Sequence, residues 1–355
     1  MILRNFLFPF SANNRAQQGR GVSFVCILLV WFASISVLAF AQNDPVQDGP
    51  VQPNKHQADY GKRWVDNTSG PFYTGTANVD PGGSYYIEPY LFNYRAKGQN
   101  NIYVPTKFAY GLGRGMELDL YAPFDYNRVK GSQGTVESAL GYGDTLLQLK
   151  WQFAKVKDRF HFWRMPSMAF AFDLNVPTGK YKHQNPNLSG AAQTSNGTWN
   201  EQLGFLVRKQ FKPFELYAQQ TVLIQNPTDV TGPYQFNNGI ATLPAGKLLH
   251  MVDGDVLESA GALEHVLLPK EGFGYLIEYN AERQLDQSVL FGKATAPGFG
   301  YVDLSPEVEV TWPNHGKYPI TWGAGTTFTA ARSNYQRQLT PIFTVSFYGD
   351  THGSR

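Results

Sequence analysis

The stretch Ser167-Met168-Ala169-Phe170-Ala171-Phe172-Asp173-Leu174-Asn175-Val176-Pro177 places Met168, Phe170, Phe172, Leu174 and Val176 at every second position, with Ser167, Ala169, Ala171, Asp173 and Asn175 between them. Successive side chains of an extended chain point to opposite faces, so the segment reads as a strand with one greasy face and one wet face. Working outward, Thr145, Leu147, Leu149, Trp151 and Phe153 alternate with Asp144, Leu146, Gln148, Lys150 and Gln152, and Met116, Leu118 and Leu120 alternate with Glu117 and Asp119. Further along, Phe273, Tyr275, Ile277 and Tyr279 oppose Gly274, Glu278 and Asn280. Val302, Leu304, Val308 and Val310 oppose Asp303, Ser305, Glu307 and Glu309. Near the end, Ile320, Trp322 and Phe328 oppose Thr321, Gly323, Thr327 and Thr329, and a last strand sets Leu339, Phe343, Val345 and Phe347 outward. The expected fold class is all-β: a transmembrane antiparallel up-and-down barrel of about twelve strands, lipid outside and a wet or packed polar lumen inside. The strands are centred near Tyr85, Ile102, Met116, Asp144, Ser167, Thr198, Phe214, Val256, Phe273, Tyr301, Ile320 and Leu339. Each is about nine to thirteen residues long, which suits a tilted bilayer crossing.

Connections alternate in length. Short turns at Gly111–Gly115, Phe211–Pro213, Pro269–Gly272 and Pro313–Tyr318 are separated by long polar stretches at Asp125–Gly143, Thr178–Gly197 and Asn226–Asp255. Only Ala154–Pro166 is longer than a short turn should be. An even-numbered barrel with both termini on the periplasmic side gives this rhythm. Aromatic residues at strand ends, namely Tyr121, Phe124 and Tyr126, Phe160, Phe162 and Trp163, Trp199, Trp312 and Tyr348, are candidates for the interfacial girdles. A soluble sandwich or barrel is the competing fold, and it would turn its apolar rows inward.

The N-terminus reads as an export signal. Arg4, Arg15 and Arg20, with no acidic residue, precede the apolar run Val22–Ala41, and Ala39-Phe40-Ala41 offers a small-x-small cleavage site. An uncleaved anchor is the alternative reading, because the run is long enough to span a bilayer. Cleavage before Gln42 would remove three of 30 basic residues and none of 28 acidic ones, taking the formal charge from +2 to −1. A near-neutral chain of this kind is not expected to bind nucleic acid through a basic field. The single cysteine, Cys26, lies in the signal, so disulfide and thiolate chemistry are not expected in the mature chain. The expected organisation is a signal peptide at 1–41, a flexible periplasmic lead-in at 42–83, the barrel at 84–348 and a C-terminal tail at 349–355.

Three short motifs add a family resemblance. Glu117-Leu118-Asp119-Leu120-Tyr121-Ala122-Pro123-Phe124, then Gly141-Tyr142-Gly143-Asp144 leading into a strand, then Asn175-Val176-Pro177-Thr178-Gly179 closing the next one, resemble the outer-membrane family named for the meta-pathway of phenol degradation. The resemblance runs over about Ser84 to Tyr348. It implies a barrel in the outer membrane of a Gram-negative bacterium that passes small hydrophobic or aromatic solutes. Read physically, Gly141 and Gly143 permit a tight loop into a strand, Asp144 can accept from local backbone amides, and Pro177-Thr178-Gly179 ends a strand at the outer rim. All six residues read as architectural. Such barrels usually finish on an aromatic residue that the outer-membrane assembly machinery reads, whereas Gly349–Arg355 continue past Phe347 and Tyr348 here.

Catalytic and metal signatures do not emerge. The sequence holds no G-x-S-x-G elbow, H-E-x-x-H, paired C-x-x-C or phosphate loop, and Gly111-Leu112-Gly113-Arg114-Gly115 precedes a strand, so it reads as a hairpin turn. His56, His161, His183, His250, His265, His315 and His352 lack ligand spacing, and no cofactor or metal is expected. Ser259 and His265 share one outward face, but six residues along a strand separate them by about 20 Å, too far for a nucleophile and its base. The residues expected to face the lumen and tune passage are Glu117, Asp119, Lys150, Asp173, Glu278, Glu307 and Glu309. The same charges also suit a network that fills a narrow barrel. The leading expectation is a passive channel for small hydrophobic or aromatic molecules. A structural or adhesive barrel with partner-binding outer loops comes second, and a membrane-embedded lipid hydrolase third.

Overall fold

The computed structural model describes residues 71–80, 82–96, 99–130, 136–154, 166–181, 193–195, 197–211, 214–231, 234–236, 241–243, 248–252, 254–268, 272–285, 288–290, 294–296, 298–312, 320–335 and 337–350. The expected signal peptide, residues 42–70 of the lead-in and residues 351–355 of the tail lie outside them, as do Phe160, Phe162, Trp163 and most of the turns other than Gly111–Gly115.

In chain order the strands are β1 (Ser84–Ala96), β2 (Gln99–Gly113), β3 (Met116–Lys130), β4 (Val136–Tyr142), β5 (Thr145–Ala154), β6 (Ser167–Val176), β7 (Asn200–Phe211), β8 (Phe214–Gln225), β9 (Thr228–Thr231), β10 (Tyr234–Phe236), β11 (Ala241–Leu243), β12 (Leu248–Val252), β13 (Val256–Leu268), β14 (Phe273–Gln284), β15 (Ser288–Leu290), β16 (Ala294–Ala296), β17 (Gly300–Trp312), β18 (Ile320–Ser333) and β19 (Leu339–Asp350). Twelve of them, β1, β2, β3, β5, β6, β7, β8, β13, β14, β17, β18 and β19, pair antiparallel with their neighbours in a ring. The ring closes where β1 meets β19, from Ser84↔Asp350 to Arg95↔Leu339. Closure leaves no edge along the twelve-strand wall, which hydrocarbon demands because it offers backbone groups no partner.

The pleat sorts the side chains as the alternation requires. Leu203 and Ile277 are each 58% exposed and Phe172 is 49% exposed on the outer face, while Asp119, Glu264, Glu278 and Glu309 are fully buried on the inner one. Each large apolar side chain taken from water into hydrocarbon contributes about 1.5–3 kcal/mol, so the outer rows decide the solvent. The Gly111–Gly115 hairpin also stands: Gly113, Arg114 and Gly115 all have positive φ, at 82°, 54° and 78°. Glycine adopts that region without strain at two of the three positions.

Three expectations change. The stretches Asp125–Gly143 and Asn226–Asp255 are not plain loops, since the first continues β3 and contains β4, and the second contains β9 to β12. Water wets both faces of a strand beyond the membrane, so the apolar period fades while the ladder persists. Tyr121 and Tyr348 do not join an interfacial girdle. Tyr121 faces the lumen, and Tyr348 packs on the buried Tyr86 with ring centroids 5.4 Å apart, whereas Phe124 and Trp199 are about half exposed on the outer face. Finally, residues 71–80 of the expected periplasmic lead-in lie inside the barrel. Small inward side chains make room for them. Ala77 packs on Ala169, Ala171 and Leu206, and a Cβ built on Gly325 would come within 2.9 Å of the Phe72 ring.

Candidate solute site in the lumen

The inserted segment is held by lumen side chains rather than by strand pairing. Glu278 on β14 accepts hydrogen bonds from the backbone N–H of Tyr73 (3.0 Å), from that of Thr74 and from the Thr74 hydroxyl (2.6 Å). Gln219 on β8 accepts from the Gly75 N–H at 2.5 Å, and Glu117 on β3 accepts from the Asp80 N–H at 2.5 Å. Buried N–H groups left without an acceptor would carry a desolvation cost, so these partners keep the segment in place.

Of the residues expected to face the lumen, Glu117, Asp119, Lys150, Asp173, Glu278, Glu307 and Glu309 are all buried on the inner face. They fall into two groups. Lys150 pairs with Glu117 and lies 3.6 Å from Asp119, which also binds Lys107 of β2 at 3.0 Å. Asp173 accepts from Gln148 at 2.9 Å on the adjacent strand. Glu278, Glu307 and Glu309 belong to the opposite wall, where Glu278 grips the inserted segment and Glu307 lies one strand over on β17. Asp80, outside the strands, sits by the first group, and burial first and the Glu117 charge second push its carboxyl up to about 7.

Above the inserted segment is a cavity of about 150 Å³. Tyr86, Tyr90, Phe92 and Tyr94 project into it from alternate positions of β1, joined by Tyr103 of β2 and Tyr121 of β3. Tyr90 and Phe92 stack with centroids 5.9 Å apart, and Phe92 and Tyr94 stack at 5.8 Å. Phe72 and Tyr73 of the inserted segment complete the floor, at 6.4 Å from Tyr90 and 6.0 Å from Phe92. Lys107, Lys150, Asp144, Asp173, Gln148, Gln202 and Gln219 add polar groups to the ring-lined chamber. The Lys107 ammonium lies 4.8 Å from the Tyr86 ring centroid and 5.5 Å from that of Tyr121. A cavity of ~150 Å³ is large enough for one benzene ring. Among the described residues no cluster of His, Cys, Asp or Glu is arranged to hold a metal.

The aromatic row escapes the alternation rule because β1 carries rings and apolar residues on both faces, as in Tyr85-Tyr86 and Tyr90-Leu91-Phe92. Lys107 was hidden by the same breakdown in β2. Pro177 follows the end of β6, and Gly143 and Asp144 sit between β4 and β5. Asp144 accepts from the N–H of Gly179, at 3.1 Å. Ser259 and His265 do face outward, yet they partner different tyrosines: Ser259 lies 3.4 Å from the Tyr279 hydroxyl and His265 Nδ1 lies 2.9 Å from that of Tyr275.

Residues 67–247, just over half of the chain, match the profile of the family described as "Putative MetA-pathway of phenol degradation". No curated protein gives a significant sequence match. Among solved structures, an outer membrane channel from Pseudomonas putida F1 aligns with a TM-score of 0.57 at 11% identity, over 78% of this chain and 98% of that one, so the two share a fold. Weaker likenesses include the translocator domain of the autotransporter NalP from Neisseria meningitidis (TM-score 0.41, 9% identity, 76% of this chain and 88% of that one). Another is a deltaS2S3 mutant of the monoaromatic hydrocarbon channel TodX (TM-score 0.39, 9% identity, 76% and 91%).

Proposed function

The chain belongs to the outer-membrane family named for the MetA pathway of phenol degradation, and from that premise we propose that it is a passive channel for small aromatic or hydrophobic solutes. The observation that carries this reading is the ring-lined cavity above Phe72, a chamber sized for one aromatic ring inside a barrel whose outer surface faces lipid. A ring entering it exchanges water for edge and face contacts with Tyr90, Phe92 and Tyr103, each pair contributing about 0.5–1.5 kcal/mol beyond area burial. Lys107 and Lys150 are tied to Asp119 and Glu117, so the two ammonium groups meet the chamber as paired charges. In this reading Glu117, Asp119, Lys150 and Asp173 set the polarity of the passage. Glu278 holds the floor in place, with Glu307 and Glu309 shaping the wall beside it.

The test is the initial rate of labelled toluene and phenol uptake by Gram-negative cells with intact lipopolysaccharide, with and without this gene. The expected result is uptake several-fold above the gene-less background for both probes and no such gain for a disaccharide. Equal uptake with and without the gene contradicts the proposal. A structural barrel has one observation in its favour, the segment lodged in the lumen, and it predicts that uptake stays at background.

A further inference from the structure

The outer face of the first three strands changes character at one level. Along β2 the outward row runs from Leu112 through Phe108 to Ile102, and the next outward residue is Asn100. Along β3 it runs from Leu118 to Tyr126 and gives way to Arg128, and along β1 the last apolar member is Leu91, with Asn93 and Arg95 beyond it. Antiparallel pairing sets these ends side by side: Arg95 lies opposite Asn100, and Asn100 lies opposite Arg128. Neighbouring strands stand about 4.8 Å apart, so the two arginines flank one asparagine with their backbones about 10 Å from each other. Both arginines are exposed.

Amide side chains aim one of them. With its oxygen turned to the guanidinium, Asn93 accepts from Arg95 Nη2 at 2.9 Å and from Nε at 3.2 Å, and it donates to Asn100 Oδ1 at 2.6 Å. Asn93 is a neutral partner, so it orients Arg95 without cancelling its charge. A guanidinium presents a planar fork of donors that matches the oxygens of a phosphate. Arg283 of β14 also points outward at this end of the barrel, but the residues in register beside it are Leu257 and Gly300, so no second arginine flanks it.

The level at which the outward rows turn polar is where hydrocarbon ends. With the termini on the periplasmic side, Arg95, Asn100 and Arg128 belong to the extracellular end, which also carries β9 to β12. The outer leaflet there is built of lipopolysaccharide, whose acyl chains hang from a phosphorylated glucosamine head. We infer that the Arg95–Asn100–Arg128 row docks the phosphorylated head of one lipopolysaccharide molecule, with its acyl chains lying on the exposed Leu91, Phe124 and Leu140 below. Charge and grease then match the two ends of one lipid at adjacent levels of the wall. An ion pair at the edge of hydrocarbon is also screened less by salt than one in open water. Docking of this kind does not depend on what the lumen carries.

The test is retention of lipid A, the acylated and phosphorylated part of that lipid. Wild type, R95Q/R128Q and R283Q are purified from outer membranes, saturated with diphosphoryl lipid A in detergent and passed through gel filtration. The lipid kept per chain is then counted by native mass spectrometry. R95Q/R128Q is expected to keep at least fivefold less than wild type, and R283Q to stay within twofold. Lipid A stripped of its phosphates should be kept equally poorly by all three. Heat-modifiable migration on a gel checks that each barrel has closed. Should the double variant fail that check, R128Q alone decides, with a loss of at least twofold expected. Equal retention by wild type and the arginine variant, or retention by wild type that survives removal of the phosphates, overturns the site in favour of an unspecific lipid annulus. A loss in R283Q as large as in R95Q/R128Q assigns the effect to overall charge and overturns it as well.

Discussion

β14 and β17 pair without a break from Phe273↔Val310 to Arg283↔Gly300, and the inner face of β14, β17 and β18 is mostly polar or small, with Glu278, Asn280, Ser305, Glu307, Glu309, Thr321, Gly323, Gly325 and Thr327 among its residues. Across the lumen, β1, β2 and β3 carry Pro89, Pro105 and Pro123, the β4–β5 strand bulges, and the inner face sets Tyr86, Tyr90, Phe92, Tyr94, Tyr103 and Tyr121 beside the ion pairs of Lys107 and Lys150 with Asp119 and Glu117. Both walls obey one pleat. The first grips a piece of chain, because glycine leaves room for the Phe72 ring and carboxylates accept its neighbours' N–H groups. The second leaves a ring-shaped vacancy, because stacked tyrosines cannot collapse into it. The comparison teaches that the inward residues of a barrel decide between clamp and chamber by size and by hydrogen-bonding sense.

The sharpest way to break the contrast is to disarm the clamp. Glu278→Ala removes three hydrogen bonds from residues 73 and 74, each worth about 1.5–3 kcal/mol when the acceptor is charged. We expect single-channel conductance in planar bilayers to rise at least tenfold as the segment leaves the lumen. Unchanged conductance would show that the grip lies elsewhere.

The chamber is tested next. Tyr90→Ala and Phe92→Ala each remove a stacked ring, at about 0.5–1.5 kcal/mol per pair, so toluene uptake should fall two- to tenfold with conductance little altered. A fall in conductance alone would place those rings in the clamp instead.

The boundary between the walls carries a pH test. Asp80 titrates near 7 in the inserted segment against 3.8 for an ordinary aspartate, so the inserted state binds the proton more tightly than the released one. Insertion is therefore firmest below about pH 4, weakens as pH rises from there to about 7, and changes no further above it. Conductance should climb over that window and level off, and Asp80→Asn should flatten the profile. A profile that falls with rising pH contradicts the sign.

The smallest effect is expected on the lipid side. His265→Ala removes one hydrogen bond to Tyr275 and a stack on Phe214, costing about 1 kcal/mol of barrel stability and leaving uptake within twofold. If lipid hydrolysis appeared in the wild type and vanished in this variant, the functional site would move to the outer face.

Much of this was legible in the chain itself. Strands such as Ser167–Val176 and Thr145–Ala154 reveal themselves because lipid on one side and polar packing on the other force a strict period of two. That period also put all seven expected charges on the inner face. It could not show that Glu278 grips a chain segment rather than lining a path, since a carboxylate facing inward looks the same in both roles. β1 stayed opaque because aromatic residues suit both lipid and chamber. The inserted segment leaves a trace in the sequence: Gly323 and Gly325 of β18 and Ala169 and Ala171 of β6 make parts of the inner face too small to meet across the lumen. Such rows of small inward residues mark space for something that is not a strand.

The central claim is that one aromatic ring occupies the chamber above Phe72. The most direct measurement is a crystal of the protein soaked with 4-bromophenol and recorded at the bromine edge. The account predicts an anomalous peak within the space bounded by Tyr90, Phe92 and Tyr103, lost in the Tyr90→Ala, Phe92→Ala double variant. Bromine found only on the outer surface, or a chamber that stays empty at saturating probe, would contradict it.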